Sequence, residues 1–150
     1  MKSISEEIKQ LKFDTNYQMA VINLLYTSNV VADKHAVIFK KYDILEQHFN
    51  ILRIVSGRQG KPISPGEIIE VMLNKNRDLT RLVDKLTKME LLDRQVNPTN
   101  RRKVNIAITK NGESVLEKIN AELKELMYAN VPLTEEESLE LSQLLDKLRG

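Results

Sequence analysis

The sequence predicts a mainly α-helical fold with one small β-hairpin. Apolar residues recur at three- and four-residue steps through most of the 150 residues, as in helices with one buried face. Strict alternation of apolar and polar residues is confined to two neighbouring segments, the pattern of half-buried strands. Because 41% of the residues are hydrophobic and the length suits one core, we expect a single domain spanning 1–150.

Three helical regions are expected before residue 60. Apolar residues from Ile4, Ile8 and Leu11 onward to position 25 predict one long amphipathic helix near the N-terminus. The stretch KHAVIFKKY, 34–42, is interpreted as a short second helix. A third helix is predicted to begin at DILE, 43–46, which has the spacing of a capping box.

Residues 64–89 have the pattern of a helix-turn-helix. The tetrapeptide SPGE, 64–67, supplies a cap serine, a proline at the first helical position and a glutamate at the third. That helix is expected to run to about residue 73, where the polar tract NKN breaks it. A second helix follows, with one apolar face and an opposite face that is basic and carries a hydroxyl group. The outer face comprises Arg77, Thr80, Arg81, Asp84, Lys85 and Lys88.

A β-hairpin is predicted directly after this helix pair. Residues 104–109 alternate between apolar and more polar side chains, and residues 92–96 form a matching earlier strand. The turn-prone residues NPTN, 97–100, join the two strands. Three consecutive cations, RRK at 101–103, stand at or just after the tip.

Two further helices are expected to end the chain. Thr109 is predicted to cap the first, whose apolar stripe runs from Val115 to Met127, and Pro132 ends it or bends the connection. The tetrapeptide TEEE, 134–137, is another capping box and opens the final helix. One face of that helix carries Leu141, Leu144, Leu145 and Leu148.

The charge is unevenly distributed, although the net charge is only +2. Residues 53–103 contain twelve Lys and Arg against six Asp and Glu, so the rest of the chain carries a net −4. A basic segment of this size is typical of a region that contacts phosphates. Solvated helix faces alone also produce such a surplus, and both interpretations stay open on charge alone.

Several classes of function are disfavoured by composition. The chain has no cysteine, which excludes disulfides, thiolate metal sites and thiol-based sensing and fits a reducing compartment. Its two histidines are 13 residues apart, and no glycine-rich phosphate loop or nucleophile with a base is recognisable. We therefore expect no enzyme activity, cofactor or metal. The absence of a signal-peptide core or an apolar run of about 18 residues leads us to expect a cytoplasmic protein without a membrane segment.

The second helix and the hairpin suit the two grooves of DNA. Arginine can donate two hydrogen bonds to guanine, and threonine can reach bases or phosphates, in a major groove wide enough for a helix. An arginine at the tip of a narrow hairpin can enter a minor groove, where A·T-rich narrowing strengthens the negative potential. The alternative for both elements is an exposed surface whose charges only solubilise the protein.

These motifs together resemble the MarR (multiple antibiotic resistance regulator) family of winged helix-turn-helix transcriptional regulators. The segment LTRLVDKLTKMELLDRQVNPTNRRKVNIAITKNG is similar to that family's recognition helix, wing and following strand. In that family a TRLVDxL core leads to an Asp-x-Arg wing and an LTxxG ending, and the helical order elsewhere in this chain matches as well. The resemblance implies a winged helix-turn-helix at about 43–109, flanked by dimerisation helices at about 1–30 and 110–149.

The family's DNA-contacting residues map onto this chain one by one. The resemblance implies that Arg102 is the wing arginine that enters the minor groove, with Arg101 on phosphate. Lys103 is expected to meet phosphate or solvent. On the recognition helix it implies Arg77, Thr80 and Arg81 in the major groove and Lys85 on phosphate. Ser64, at the start of the helix-turn-helix, completes the expected DNA contacts.

Two positions depart from the family pattern. Asn100 replaces the usual wing aspartate, so an ion pair that orients the wing is replaced at best by neutral hydrogen bonds. Glu90 stands where the family often has glycine after the recognition helix. A non-glycine residue in a left-handed conformation there costs on the order of 1 kcal/mol, unless the helix ends differently.

The resemblance also implies a homodimer and a small-molecule pocket. We expect dimerisation through the terminal stripes, Ile4, Ile8 and Leu11 with Leu141, Leu144, Leu145 and Leu148, although an intrachain core is the alternative. A pocket between the dimer helices and the winged helix is expected to be lined by Tyr17, Tyr26, Phe39, Tyr42 and Phe49, again with core packing as the alternative. The function expected is a ligand-responsive repressor on a pseudo-palindromic operator; a winged-helix adaptor that binds protein is the alternative.

Overall fold

A computed structural model describes residues 2–75, 78–96, 104–128 and 132–150, with the side chains of residues 127 and 128 left aside. Its helices before the hairpin are α1 (Ile4–Glu7), α2 (Asn16–Lys41), α3 (Glu46–Ser56), α4 (Pro65–Val71) and α5 (Leu79–Lys88). Strands β1 (Leu92–Val96) and β2 (Val104–Ile108) precede α6 (Lys110–Leu123), a π-helical turn (Lys124–Tyr128) and α7 (Glu135–Arg149). Over the described residues, no helix combines the length and apolar character needed to cross a membrane.

The N-terminal region differs from the predicted arrangement of one long helix and one short helix. The chain leaves α1 through Lys9, whose φ is +54°, and α2 starts again where Thr15 accepts a hydrogen bond from the Gln18 amide at 3.0 Å. The stretch 34–42 is no separate helix, because α2 has no proline or glycine and continues unbroken to Lys41. At 26 residues, α2 is about 39 Å long.

The predicted capping box at 43–46 is wrong. Helix α3 begins at Glu46, and its cap residue is Leu45, whose amide donates to Nδ1 of His48 at 2.9 Å. The imidazole thus takes the place of the glutamate in half of a capping box. Asp43 has a φ of +51° in the connection between α2 and α3, a conformation that aspartate tolerates better than most residues.

The core lies between the helices of the middle segment and the hairpin. Side chains from α3, α4, α5, β2 and α6 have essentially no exposed surface, namely Ile51, Leu52, Ile68, Leu86, Ile106 and Ile119. The predicted hairpin is confirmed as an antiparallel pair running from Leu92 opposite Ile108 to Val96 opposite Val104. Ile63 pairs with Ile106 through two backbone hydrogen bonds of 2.9 and 2.8 Å, so the segment before α4 is fastened to β2.

Helix α6 connects the winged helix to α2. Glu122 accepts hydrogen bonds from Lys41 at 2.5 Å and from the Tyr42 hydroxyl at 2.6 Å. The bond from Lys41, followed by that from Tyr42, lowers the pKa of Glu122, and the same contact raises the pKa of Tyr42. Leu126, expected in the buried stripe, is 60% exposed, because the π-helical turn begins just before it and shifts the side chains off the α-helical register.

The predicted cap of α7 is confirmed, but this helix buries none of its residues. The Thr134 amide donates to the Glu137 carboxylate at 2.8 Å, and the Glu137 amide donates to the Thr134 hydroxyl at 3.2 Å. Leu141, Leu144 and Leu148 are exposed. The N-terminus of α7 is therefore capped by its own residues, whereas the rest of the described chain leaves its apolar face exposed.

Candidate nucleic-acid interface

Helices α4 and α5 form the helix-turn-helix, and α5 presents two distinct faces. Leu79, Val83 and Leu86 are buried against the core, whereas Thr80 and Arg81 are exposed. The Arg81 side chain is 88% exposed, and its Nε lies 3.1 Å from Asp78, the residue that caps the helix. An arginine held only by an exposed carboxylate can exchange that partner for a base edge or a phosphate.

Ser64 has a defined role in starting α4. Its hydroxyl donates to the Glu67 carboxylate at 2.7 Å and accepts from the Glu67 amide at 3.3 Å. The Ser64 amide donates to the same carboxylate at 3.0 Å, which completes the reciprocal cap. The bond from the Ser64 hydroxyl, followed by that from the amide, lowers the pKa of Glu67. The single hydroxyl proton of Ser64 is thus used within the protein.

Lys85 lies on the side of α5 that faces α2. Its Nζ is 3.0 Å from the carboxylate of Asp43, in the connection between α2 and α3. His48 lies buried nearby, and its burial, together with the positive charge of Lys85, lowers its pKa. The lysine that the resemblance placed on phosphate therefore connects the recognition helix to the end of α2.

The hairpin is joined to α5 by an ion pair that the sequence did not indicate. Arg94, in β1, donates to the Asp84 carboxylate, one helical turn beyond Thr80. Arg94 lies on the same face of the hairpin as Leu92 and Ile106, both of which are buried. The acid and the base stand ten residues apart in different elements, so only the fold brings them together.

Four of the expected DNA-contacting cations lie outside the described residues. They are Arg77, Arg101, Arg102 and Lys103. Three of these cations, at 101–103, lie in the sequence between β1 and β2. The described ends of these strands, Val96 and Val104, are directly opposite each other. Both are exposed, so the described hairpin extends beyond the core toward residues 97–103.

Glu90 adopts the left-handed conformation that its position in the family pattern requires, with a φ of +58°. The Leu91 amide donates to the Leu86 carbonyl at 2.9 Å and the Glu90 amide to the Thr87 carbonyl at 3.0 Å. This pair of bonds is a Schellman motif, which glycine usually completes. The helix therefore ends as the resemblance implied. The left-handed conformation of Glu90 costs conformational free energy that glycine at this position would not.

Thr109 and Gly112 lock that helix end against α6. The Thr109 hydroxyl donates to the Glu90 carbonyl at 2.7 Å and accepts from the Gly112 amide at 2.9 Å, which confirms its predicted role as a cap. A Cβ at Gly112 would stand 2.1 Å from the Leu91 carbonyl oxygen. The Thr-x-x-Gly motif thus allows α6 to start in direct contact with the end of the recognition helix.

The five aromatic residues expected around a ligand do not line one cleft. Phe39 and Phe49 pack in the core with ring centroids 5.0 Å apart, and Tyr42 bonds to Glu122 of α6. Tyr17 is 67% exposed, and the Tyr26 hydroxyl donates to Glu7 at 3.2 Å. Their periodicity reflects helix packing more than a shared binding site.

A cavity of about 480 Å³ nevertheless lies between α2, α3 and α5, and Phe39 is the one of these aromatic residues that borders it. Charged groups from three elements line it, namely Asp33 and Lys40 of α2, Glu46 of α3 and Lys85 of α5. Lys85 belongs to α5, so one wall of the cavity is formed by the helix that also carries Thr80 and Arg81.

The expected dimerisation residues fall into two groups. The α7 leucines Leu141, Leu144, Leu145 and Leu148 line an apolar groove of about 730 Å³. The opposite wall comes from α2 and includes Ala20, Leu24 and Val31. The first two lie within the expected dimerisation helix at about 1–30, although they are not among the residues named for it. Near the N-terminus, Ile4 is buried, Ile8 is half-buried and Leu11 is 92% exposed.

A helix-turn-helix followed by a hairpin, with a basic and exposed outer helix face, defines the winged-helix class of DNA-binding proteins. The chain belongs to the MarR family within that class: the sequence profile of the MarR family matches residues 44–104. It is also 31% identical over 134 residues to the HTH-type transcriptional regulator PecS of Dickeya dadantii (strain 3937), an alignment that covers 87% of this chain and 80% of PecS.

Solved structures share the fold at lower identity. A MarR mutant from E. coli complexed with operator DNA has a TM-score of 0.70 at 24% identity, covering 91% of this chain and 99% of that one. The organohalide-sensing RdhR transcriptional regulator in its 2,4-dichlorophenol-bound form has a TM-score of 0.75 at 18% identity, with coverages of 95% and 83%. A MarR-like transcription regulator from Bacillus cereus ATCC 10987 has a TM-score of 0.73 at 20% identity, with coverages of 89% and 96%. The chain is accordingly a DNA-binding transcription regulator of the MarR type.

Proposed function

We propose that this protein is a homodimeric, ligand-responsive repressor that binds a pseudo-palindromic operator. The observation that carries the proposal is the orientation of α5, which buries Leu79, Val83 and Leu86 and exposes Thr80 and Arg81. A helix fixed in this way can enter a major groove without exposing its apolar face.

Each chain contributes two kinds of DNA contact in this proposal. Thr80 and Arg81 read base edges in the major groove, and Arg77, which precedes α5 in the sequence, is assigned to the same groove. Arg102 enters the adjacent minor groove, while Arg101 and Lys103 neutralise phosphates. Ser64 and Lys85 are left out of this set, because the former donates its hydroxyl proton to Glu67 and the latter pairs with Asp43.

The proposed dimer is supported by the apolar surface that α7 and α2 leave uncovered. Leu141, Leu144 and Leu148 are exposed, and they face an apolar groove whose other wall is α2. Apolar surface of this extent on a regulator is typical of an interface. Two copies related by a two-fold axis would present two recognition helices to half-sites about one helical turn apart. Leu145, Ile4, Ile8 and Leu11 are assigned to the same interface.

The proposed effector site is the cavity between α2, α3 and α5. A ligand there would touch Lys85 of the recognition helix and Asp33 or Lys40 of the dimerisation helix at once. Such a ligand shifts the protein away from DNA only if it binds the DNA-incompetent arrangement more tightly. RdhR, which shares the fold, was solved with 2,4-dichlorophenol bound, and E. coli MarR with operator DNA. We assign no enzyme activity, and a regulator that shares a compartment with its DNA agrees with the cytoplasmic location expected.

Salt dependence tests the proposal against a protein-binding adaptor. DNA affinity is expected to fall steeply as salt rises, because each neutralised phosphate releases counterions. Arg102→Ala is expected to weaken binding and reduce the salt slope, and Arg81→Ala to weaken binding by about 10- to 100-fold at its base position. Arg149→Ala, at the far end of α7, is the matched control and leaves both quantities unchanged. Binding that is absent, or insensitive to salt and to both α5 and wing arginines, would identify an adaptor instead.

A further inference from the structure

The ion pair between Asp84 and Arg94 is the feature of the interface that the DNA contacts leave unexplained. Asp84 is on the recognition helix and Arg94 on the first strand of the wing, and each side chain is 43% exposed. Arg94 stands opposite Ile106, two pairs nearer the tip than Leu92 and Ile108. The contact therefore joins the two elements that must reach different grooves of one duplex.

Packing between the wing and the recognition helix becomes loose just where this ion pair occurs. Leu92 and Ile106 are buried at the base of the hairpin, whereas Val96 and Val104 nearer the tip are exposed. A cavity of about 150 Å³ separates the hairpin from α5 and α4, and Arg94 forms part of its wall. Apolar contacts thus hold the base of the hairpin, and the ion pair between Asp84 and Arg94 is a polar contact at the edge of the cavity.

Asp84 and Arg94 are both charged and partly shielded from solvent, and their side chains join α5 directly to the first strand of the hairpin.

We propose that Asp84 is a positioning residue for DNA binding: through Arg94 it sets the angle of the wing to α5, so that Arg102 meets the minor groove while Thr80 and Arg81 occupy the major groove. The inference rests on the proposed function and assigns Asp84 no contact with DNA. Holding both binding elements at the correct spacing removes an ordering cost from association. Exposed ion pairs contribute little to folding, so DNA binding responds to loss of this pair more strongly than stability does.

The test is a set of thermodynamic cycles on an A·T-flanked operator at fixed salt. Asp84→Asn and Arg94→Gln are each expected to weaken binding about tenfold, and the double variant is expected to lose no more than either single variant. In an Arg102→Ala background, Asp84→Asn is expected to cause no further loss, because the wing no longer has a side chain to position. Asp93→Asn, which neutralises the neighbouring exposed carboxylate on the opposite face of β1, is the matched control and leaves affinity within about twofold.

Urea unfolding of each variant separates positioning from folding. A loss of affinity that tracks a loss of stability would overturn the proposal, as would additivity of Asp84→Asn with Arg102→Ala. Additivity of Arg94→Gln with Asp84→Asn would show that Arg94 contacts DNA itself, and it would also overturn the proposal. If the unaltered protein binds DNA with a steep salt dependence and loses affinity on Arg102→Ala, the proposed function stands whichever way these cycles fall.

Discussion

Helices α5 and α7 are both amphipathic, but the rest of the described chain buries the apolar face of α5 and leaves that of α7 uncovered. Helix α5 buries Leu79, Val83 and Leu86, so its apolar face is completed by its own chain. Helix α7 begins with an equally good cap, yet none of its residues is buried. The winged helix therefore buries its own apolar face, whereas α7 leaves its leucines exposed, and the proposed dimer would cover them.

The largest expected effect is on the stability of the winged helix, at the contact between the end of α5 and the start of α6. Gly112→Ala would place a methyl group 2.1 Å from the Leu91 carbonyl oxygen and 2.8 Å from an Ile108 side-chain carbon. Because the first neighbour is backbone, we expect a loss of about 3 kcal/mol in the free energy of unfolding, measured by urea denaturation. The control is Gly66→Ala in α4, where no atom lies within 4 Å of the added Cβ.

Gly66→Ala is expected to keep or raise stability by up to about 1 kcal/mol, since alanine is the better helix former. If both variants unfold at the same urea concentration as the parent, the close packing of α6 on the end of α5 does not determine the stability of the winged helix.

The next effect concerns α7, whose leucines are exposed. Leu144→Glu places a charge on the apolar face of α7, and we expect the dimer to weaken on the order of 100-fold, measured by sedimentation. Operator affinity falls with it, because a monomer reads one half-site. Gln143→Glu adds the same charge on the opposite side of α7 and is expected to leave the dimer intact. A Leu144→Glu protein that remains a tight dimer would remove α7 from the interface and leave its exposed leucines unexplained.

The smallest expected effect on stability comes from the residue that ends α5. Glu90 holds a left-handed conformation at the end of α5, so Glu90→Gly is expected to raise the free energy of unfolding by about 0.5–1 kcal/mol. Glu90→Gln removes the charge and keeps the strain, and it is expected to leave stability unchanged. Equal stabilisation by both variants would attribute the gain to charge and not to backbone strain.

The sequence predicted the elements whose signals are local. Caps at Thr109 and Thr134, the hairpin and the two helices before it follow from short-range patterns, and all five are present. The helix end at Lys9 was missed, because a single left-handed residue leaves no periodic signature.

The parts of the site that depend on distant residues were also missed. Asp84 with Arg94, and Lys85 with Asp43, pair across different elements, so no short-range pattern links the members of either pair. Tertiary packing redirected them, and it also moved Phe39 and Phe49 from an expected cleft into the core. The contribution of α2 to the apolar groove had no signal of its own, since Leu24 and Val31 fit an ordinary helical stripe.

The central claim is that two winged helices read one operator with two-fold symmetry. Selection of bound duplexes from a random pool by the full chain tests it most directly. We predict enrichment of an inverted repeat with half-site centres about one helical turn apart and A·T-rich sequence where Arg102 enters the minor groove. A pool that shows no enrichment, or a single site without a repeat, would contradict the claim.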